Sequence, residues 1–213
     1  MAVKADTALY IESHRKWYVV SFGLSALVFS WAALVAHRHA LTGWEQHWLL
    51  AINHWPNRWV RYFEAITAVG GSPWTAVVAV VLTFLLQFYR LSWRLSATFL
   101  LATTLTYGAK HIVDRAQPAI YVAGLHVRAM ALGTAFPSGA TVIATVIALS
   151  LLPYLPLKWR VLLPIWVGAV GLSRLYLGLY APLDVIGGLA LGVFLVSLIR
   201  IMPQALRVVL RLD

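Results

Sequence analysis

Long hydrophobic runs alternate with short polar stretches along this chain. A helix of about 20 apolar residues crosses a hydrocarbon core of roughly 30 Å. Runs of about this kind occupy residues 17–36, 74–89, 95–113, 138–152, 161–176 and 183–202. The pattern predicts an all-α fold, a bundle of six transmembrane helices. A cleaved signal peptide is the alternative for the first run, but the run is longer than a typical signal core and no small-residue cleavage site follows it, so we predict an uncleaved span.

Residues 40–72, between the first two predicted spans, have a mixed pattern. Tryptophan recurs there at nearly helical spacing: Trp44, Trp48, Trp55 and Trp59. Because tryptophan prefers the boundary between membrane and water, this region is typical of an amphipathic helix lying in the interface at the outer face. A loop that packs on the bundle is the alternative, and the sequence leaves both open.

The distribution of basic residues predicts the orientation. Ten of the 17 Lys and Arg residues fall at the two termini or in the turns on the same side. They are Lys4, Arg15, Lys16, Arg90, Arg94, Lys158, Arg160, Arg200, Arg207 and Arg211. The positive-inside rule then places both termini in the cytoplasm. We expect a single membrane domain over 1–213, with a cytoplasmic segment at 1–16 and a basic tail at 203–213, in a bacterial inner membrane.

The composition excludes several classes of protein. With 61% hydrophobic and 11% charged residues, the chain does not have the balance of a soluble domain. A net charge of +10 could indicate nucleic-acid binding, but the basic residues are scattered between apolar runs, which argues against it. The absence of cysteine excludes disulfides and thiolate metal sites. We therefore explain the positive charge in two ways. Most basic residues anchor the protein at the cytoplasmic side, and a few bind an anionic ligand.

Three polar islands interrupt the apolar runs on the predicted outer side. Their members are Lys110, Arg115, Ser138, Gly139, Arg174 and Asp184. Charge at membrane depth is costly and therefore points to a function. Taken singly, each residue has a plainer explanation: a snorkelling cation, a helix N-cap or a helix-start carboxylate. Together, cations, a hydroxyl and the N–H groups of a helix start at one depth predict a receptor for a phosphate group.

These islands resemble the three motifs of the phosphatidic acid phosphatase type 2/haloperoxidase superfamily, in its integral-membrane lipid phosphatase branch. The family motifs are Lys-x6-Arg-Pro, Pro-Ser-Gly-His and Ser-Arg-x5-His-x3-Asp. This chain has Lys110-His-Ile-Val-Asp-Arg-Ala-Gln117-Pro118, then Pro137-Ser138-Gly139-Ala140, then Ser173-Arg174-x5-Tyr180-x3-Asp184. The resemblance covers roughly residues 60–200 and implies a six-span fold that works without metal or other cofactor.

The resemblance implies a role for each matching residue. It implies that Lys110, Ser138, Gly139 and Arg174 hold the phosphoryl oxygens. It also implies that Asp184 orients the residue at position 180, which in the family is a histidine that attacks phosphorus. Without that histidine, Asp184 has two expected partners, either the hydroxyl of Tyr180 or a nearby cation such as Arg174.

The departures from the family motifs fall on the reacting groups. Tyr180 stands at the nucleophile, Ala140 at the general acid and Gln117 at the first-motif arginine. Alanine transfers no proton, and a phenol with a pKa of roughly 10 is a poor nucleophile at neutral pH. Arg115 lies two residues before Gln117 and is expected to supply the missing cation. His126 is a candidate for restoring an acid or a nucleophile.

Two functions follow from this pattern. The first is a membrane protein that binds a lipid phosphate, a polyprenyl phosphate or a phospholipid head, without efficient hydrolysis and with a role in lipid-phosphate transport. The second is an active lipid phosphatase or phosphotransferase with altered catalytic residues. A plainer third is a subunit of a membrane complex with an empty pocket, although nothing in the sequence names a protein partner. Losing the reacting groups while keeping the holding groups favours the first.

Overall fold

Helices make up the regular structure of the part of the chain described by the computed structural model, which covers residues 15–38, 41–130 and 133–202. The fold is all-α, as predicted. The α-helices are α1 (Arg15–Ala36), α2 (Gly43–Asn53), α3 (Val60–Gly71), α4 (Pro73–Leu85), α5 (Tyr89–Val113), α6 (Gly139–Leu151), α7 (Leu157–Arg160), α8 (Leu162–Tyr176) and α9 (Pro182–Ile201). Short 3₁₀ turns occupy Asn57–Trp59, Pro118–Ile120 and Leu152–Tyr154. Most of the predicted N-terminal segment and all of the basic tail lie outside the described residues.

Two described helices are long and apolar enough to cross a membrane, α1 and α9. The pair Asn57–Gly71 and Pro73–Leu85 is bent by 50° and makes a third if it is counted as one broken span. The other predicted spans correspond to α5, which carries several charges, and to the shorter helices α6 and α8. The protein is therefore an integral membrane protein by length and composition of its helices.

Helix α9 is the centre of the bundle. It packs against α1 along one side and α6 along another, and it also contacts α5. Two glycines on α9 allow the close approach of α6. A Cβ on Gly188 would lie 2.5 Å from the backbone oxygen of Ser138, and a Cβ on Gly192 would lie 2.6 Å from the Cβ of Thr145. Small residues at such a crossing let two helix backbones pack closely in a membrane.

An apolar core fills the space between α5, α6 and α9. Its buried members include Leu95, Val146 and Leu195. A second cluster lies nearer the start of α9, where Phe136 is completely buried against α1 and Leu183. The ring of Phe136 lies 5.6 Å from that of Phe29. A Cβ on Gly187 would collide with the Phe136 ring at 2.3 Å, so glycine makes room for this side chain.

The 40–72 region forms two helices rather than one interfacial helix. In α2, the buried residues Glu45, Leu49 and Asn53 recur every four positions and face the bundle. The four tryptophans of the region are exposed on the other side. The region therefore combines the two alternatives that the sequence left open, since it is amphipathic and also packs on the bundle through α3 and α8.

The turn predicted between Arg90 and Arg94 lies earlier in the chain. Gln87 has a φ of +62°, and the N–H of Phe88 donates to the oxygen of Thr83, which closes the chain between α4 and α5. Arg90 and Arg94 therefore both belong to the first turns of α5. The sequence pattern located the polar stretch between the two helices. It did not identify Gln87 as the residue with left-handed backbone, because glutamine is uncommon in that conformation.

We predict that Gly188→Ala destabilises the protein by about 1–3 kcal/mol, because the added methyl group meets the backbone of Ser138. Gly168→Ala is the matched control, since a Cβ there has no neighbour within 4 Å. The control should be neutral or stabilising by up to about 1 kcal/mol, because alanine favours a helix more than glycine does. Thermal unfolding of the purified protein, followed by tryptophan fluorescence, measures both. Equal midpoints for the two variants would contradict the close α6–α9 packing.

Candidate functional site

The predicted polar islands come together where four helix ends meet. The end of α5, the start of α6, the end of α8 and the start of α9 carry them. The N–H of Ser138 donates to the backbone oxygen of Asp184 at 2.9 Å, which joins the start of α6 to the start of α9. The N–H of Ala135 donates to the oxygen of Arg115 at 2.7 Å. These backbone bonds hold the three motif segments in one place.

Arg115 lies at the centre of a buried ionic cluster. Its side chain is 1% exposed. Its Nη1 donates to Oδ1 of Asp184 at 3.0 Å, and its Nη2 donates to Oε2 of Glu45 at 2.9 Å. Burial by itself lowers the pKa of the Arg115 guanidinium, but the Asp184 and Glu45 carboxylates outweigh burial and raise its pKa above the ordinary value. Arg115 is thus a permanent cation held by two carboxylates, not a cation open to a ligand.

Both carboxylates of the cluster have further donors. Oδ2 of Asp184 accepts from the N–H of Ala181 at 2.7 Å, because Asp184 is the third residue of α9 and faces its own helix start. Oε1 of Glu45 accepts from the N–H of Leu183 at 3.3 Å, and Oε2 accepts from the N–H and hydroxyl of Thr42 at 3.0 and 2.9 Å. The cluster therefore joins α2, the 114–137 connection and α9.

Asp184 pairs with a nearby cation, which is one of the two kinds of partner that the sequence left open. The cation is Arg115 rather than Arg174, and the Tyr180 hydroxyl is not a partner in the described contacts. Its other oxygen is occupied by a backbone N–H. In the family that this chain resembles, the aspartate at this position orients the nucleophile. Here the Asp184 carboxylate is bound to Arg115 and to the N–H of Ala181, and these bonds stabilise the fold.

Lys110 and Arg174 both lie over the ring of Tyr180, the residue at the sequence-predicted nucleophile position. The ring of Tyr180 is 7% exposed, with the Arg174 guanidinium carbon 4.8 Å and the Lys110 Nζ 5.7 Å from its centroid. Lys110 Nζ donates to the backbone oxygen of Thr134. The Nε of Arg174 is buried without a partner among the described residues. Two cations share one aromatic ring, and neither forms a salt bridge with a described carboxylate.

Ser138 and Gly139 differ in how open they are. Ser138 is completely buried, and its Oγ accepts from the hydroxyl of Thr141 at 3.0 Å. Gly139 begins α6 and is partly exposed, and a Cβ there would meet only a methyl group of Thr106, at 3.9 Å. No side chain caps this helix start. The first N–H groups of a helix have no partner within it, so the Gly139 end of α6 can offer them to an anion.

The other two positions that differ from the family motifs, Gln117 and Ala140, contact neighbouring parts of the protein. The amide Nε2 of Gln117 donates to the backbone oxygen of Gly133 at 3.1 Å. Ala140 is 8% exposed, and a Cβ built on Gly71 would lie 2.4 Å from the Ala140 Cβ. The end of α3 therefore packs directly on the position where the family has its general acid. The chain has alanine where the family motif has histidine, and the closeness of Gly71 leaves little room there for a larger side chain.

His126 lies in a different group of contacts. Its Nδ1 is 3.3 Å from an Nη of Arg128, and its ring lies 5.2 Å from that of His54. Its backbone N–H and oxygen are bound by the amide of Asn53 at 2.8 and 2.9 Å. No contact in the described structure joins it to Lys110, Tyr180 or Arg174. His126 is thus joined to α2 through Asn53, and its backbone also lies against the turn before Tyr180, where a Cβ on Gly178 would be 2.7 Å from the His126 oxygen.

The sequence reasoning missed Glu45 and Asn53. Thr42-Gly-Trp-Glu45 is the Thr-x-x-Glu pattern of a helix start, which would have marked Glu45, although not its bond to Arg115. Asn53 also donates to the backbone oxygen of Tyr176 at 2.9 Å and so ties α2 to the end of α8. A buried amide with three partners carries no local sequence signal, because its partners are more than 70 residues away.

Comparison with known proteins identifies the family and the fold of the chain. The model of a family described as the PAP2 superfamily matches residues 91–207. The crystal structure of LpxE from Aquifex aeolicus is 24% identical with a TM-score of 0.66, over 71% of this chain and 93% of that one. A transmembrane PAP2-type phosphatidylglycerolphosphate phosphatase from Bacillus subtilis is 24% identical with a TM-score of 0.65, over 82% of this chain and 92% of that one. At this identity the two structures establish a shared fold. No curated protein matches the chain.

We predict that Arg115→Met destabilises the protein by about 3–5 kcal/mol, because it leaves two buried carboxylates without their cation. Arg58→Gln is the matched control, since Arg58 is exposed and lies over the ring of Trp59. The control should change stability by less than about 0.5 kcal/mol. Thermal unfolding in detergent measures both, and an Arg115→Met protein as stable as the control would show that the cluster does not hold the fold.

Proposed function

The chain belongs to the PAP2 superfamily, and from this premise we propose that it binds the phosphate group of a lipid between Lys110 and Arg174 without hydrolysing it efficiently. The observation that carries the proposal is the pair of cations on the Tyr180 ring. Neither cation forms a salt bridge with a described carboxylate, because Asp184 and Glu45 are bound to Arg115. A phosphate group is the anion that would satisfy them.

In this proposal Tyr180 helps to bind the phosphate group and does not react with it. Its ring supports the two cations, and cation–π contacts of this kind stabilise by roughly 0.5–2 kcal/mol depending on how dry the site is. A neutral phenol donates a hydrogen bond to a phosphoryl oxygen but does not attack phosphorus. Replacing the reacting imidazole by tyrosine therefore favours binding over turnover.

The surrounding groups support the same conclusion. Asp184 is bound to Arg115 and the backbone, so it is not available to orient a base at position 180. Ala140 has no proton to give, and Gly71 packs against it. In a serine protease, loss of the nucleophile alone lowers kcat by about a million-fold, and a comparably large loss is expected here. No described residue replaces either function.

The phosphate ligands are assigned by their accessibility. We place Lys110, Arg174 and the amide N–H groups at Gly139 in direct contact with the phosphate. Ser138 and Gln117 lie beside it, and their polar atoms already have partners in the protein. Arg115, which the sequence suggested as a substitute cation, holds Asp184 and Glu45 and so keeps the helix ends in register.

The topology belongs to the proposal as well. We propose one membrane domain of six spans, with α3 and α4 forming the broken second span and α5, α6 and α8 completing the set. Both termini lie in the cytoplasm and the site lies at the outer face of a bacterial inner membrane. The support is the excess of basic residues at one end of the helices and the exposed apolar side chains along α1, α4 and α8.

The second candidate function is hydrolysis of a lipid phosphate with altered catalytic residues. We retain it because the chain belongs to the PAP2 superfamily. One of the similar structures is titled a phosphatidylglycerolphosphate phosphatase, and hydrolysis here would need Tyr180 or His126 to react. The position of His126 beside Arg128 and His54 weakens this alternative.

Binding is tested with purified full-length protein in nanodiscs. We expect phosphatidate and polyprenyl phosphate to bind, and phosphatidylcholine to bind much more weakly. Lys110→Ala and Arg174→Ala should each weaken binding by about tenfold to a hundredfold, because each removes a charge-assisted hydrogen bond. Arg58→Gln is the control of equal charge change and should leave binding unchanged. Binding that is indifferent to both site variants would contradict the proposed site.

Turnover is tested by phosphate release from phosphatidate, phosphatidylglycerophosphate and polyprenyl pyrophosphate. We expect none from the wild-type protein above the background of the Lys110→Ala variant. The triple variant Gln117→Arg, Ala140→His, Tyr180→His restores the family residues and is the positive test of the scaffold. Release by wild-type protein that is lost in Tyr180→Phe or His126→Ala would support the second function instead.

A further inference from the structure

A groove lies between α4 and α5, at the opposite end of α5 from the proposed phosphate site. Lys110 follows Arg90 by twenty positions on this helix, so a rise of 1.5 Å per residue separates the two by about 30 Å. The groove has a volume of about 540 Å³. This is within the range of small-molecule pockets, roughly 300–1,000 Å³. Its lining residues include Val80, Val81 and Phe84 from α4 and Tyr89, Arg90 and Trp93 from α5.

The groove runs along the helix axes, because α4 and α5 pack on each other and are joined by a short turn. Phe84 and Tyr89 flank the turn, and their ring centroids lie 5.2 Å apart. About one helical turn deeper, the hydroxyl of Ser92 donates to the backbone oxygen of Val80 at 3.1 Å. The lining residues on α5 extend from Tyr89 to Ser96, a length of about 10 Å. A chain that enters at the turn would therefore lie parallel to the helices, as acyl chains do in a bilayer.

The deeper part of the groove suits a hydrocarbon chain. Val81 and Trp93 are half-exposed along it. The hydroxyl of Ser92 is bound to Val80, and the hydroxyl of Ser96 donates to the backbone oxygen of Ser92 at 3.0 Å. Both serines therefore use their hydroxyl hydrogens within the protein, and apolar surface is what they leave to a ligand. Burying such surface against a chain of CH₂ groups is favourable.

Arg90 gives the turn end of the groove a positive charge. It is exposed, and neither it nor the hydroxyl of Tyr89 has a hydrogen bond or ion pair with any residue that the structure describes. The sequence of both helices and their turn, residues 73–113, contains no Asp or Glu. The planar guanidinium group matches the geometry of a phosphate. An open cation above an apolar groove is complementary in charge and polarity to an anionic phospholipid.

We propose that this groove binds an anionic phospholipid from the leaflet at the Arg90 end, with one acyl chain between α4 and α5 and the phosphate on the Arg90 guanidinium. Inorganic phosphate would leave the apolar walls uncovered, and an apolar helix of another chain would leave Arg90 without an anion. Tyr89 and Trp93 at this depth agree with a membrane boundary. The proposal rests on α4 and α5 crossing the membrane, and not on phosphate binding between Lys110 and Arg174.

Binding in the groove is tested by photo-crosslinking of the delipidated full-length protein in detergent. The probe is phosphatidylglycerol with a photoreactive diazirine group in one acyl chain, and mass spectrometry of proteolytic peptides locates the crosslinks. Unlabelled phosphatidylglycerol, phosphatidylcholine and inorganic phosphate are the competitors. The measurement is made in the wild-type protein and in the double variant Lys110→Ala, Arg174→Ala. This background removes the proposed phosphate site, so that either site can fail alone.

We expect crosslinks within residues 80–84 in both proteins, and we expect phosphatidylglycerol to compete about fivefold better than phosphatidylcholine. Arg90→Gln should abolish this preference, because it removes the cation that distinguishes the two head groups. Lys158→Gln is the matched control and should leave the preference unchanged, since Lys158 is an exposed cation that lies over the ring of Trp159. A preference that survives Arg90→Gln would overturn the proposal. Competition by inorganic phosphate as strong as that by phosphatidylglycerol would overturn the assignment to a lipid.

The position of the acyl chain is tested by filling the groove. Val81→Trp places a large ring between α4 and α5 and should lower crosslinking by about tenfold. Val77→Trp is the matched control, because Val77 is 50% exposed and Val81 49% exposed on the same helix, and Val77 does not line the groove. The control should crosslink as the wild-type protein does. Equal crosslinking of the two tryptophan variants would show that the chain lies elsewhere and would overturn the proposal.

Discussion

The buried contact of Arg115 with Asp184 and Glu45 is the interaction on which the rest of the site depends. Burying charges costs several kcal/mol for each ion, and only good geometry with additional donors offsets that cost. Here one guanidinium and the backbone N–H groups of α9 meet both carboxylates. The cluster fixes the start of α9 against α2 and the 114–137 connection, and it occupies the oxygens of both carboxylates with hydrogen bonds.

Because both carboxylates bind Arg115, neither Lys110 nor Arg174 has a salt bridge to a described carboxylate. Two cations at one aromatic ring repel each other, and the repulsion strengthens as the dielectric constant falls. A bound anion would relieve this repulsion. The proposed phosphate site therefore follows from the pairing of Asp184 and Glu45 with Arg115.

Local sequence pattern was enough for the elements and for the residue types at their ends. The apolar runs predicted the helices, because a backbone in lipid must satisfy its own hydrogen bonds. Motif spacing predicted that Lys110, Ser138, Arg174 and Asp184 would lie together, and the structure brings their segments together by backbone bonds. The turn before α5 was placed too late, because the left-handed residue is Gln87 and not a glycine.

The sequence by itself therefore determined the helical fold and the membrane environment, both of which depend on spacing along one chain segment. Only the tertiary structure decided that Asp184 pairs with Arg115, that Glu45 completes the cluster and that Gly71 occupies the space beside Ala140. These contacts join residues about 70 positions apart. Which of several nearby cations a carboxylate binds depends on how helix ends pack, and no local pattern encodes that choice.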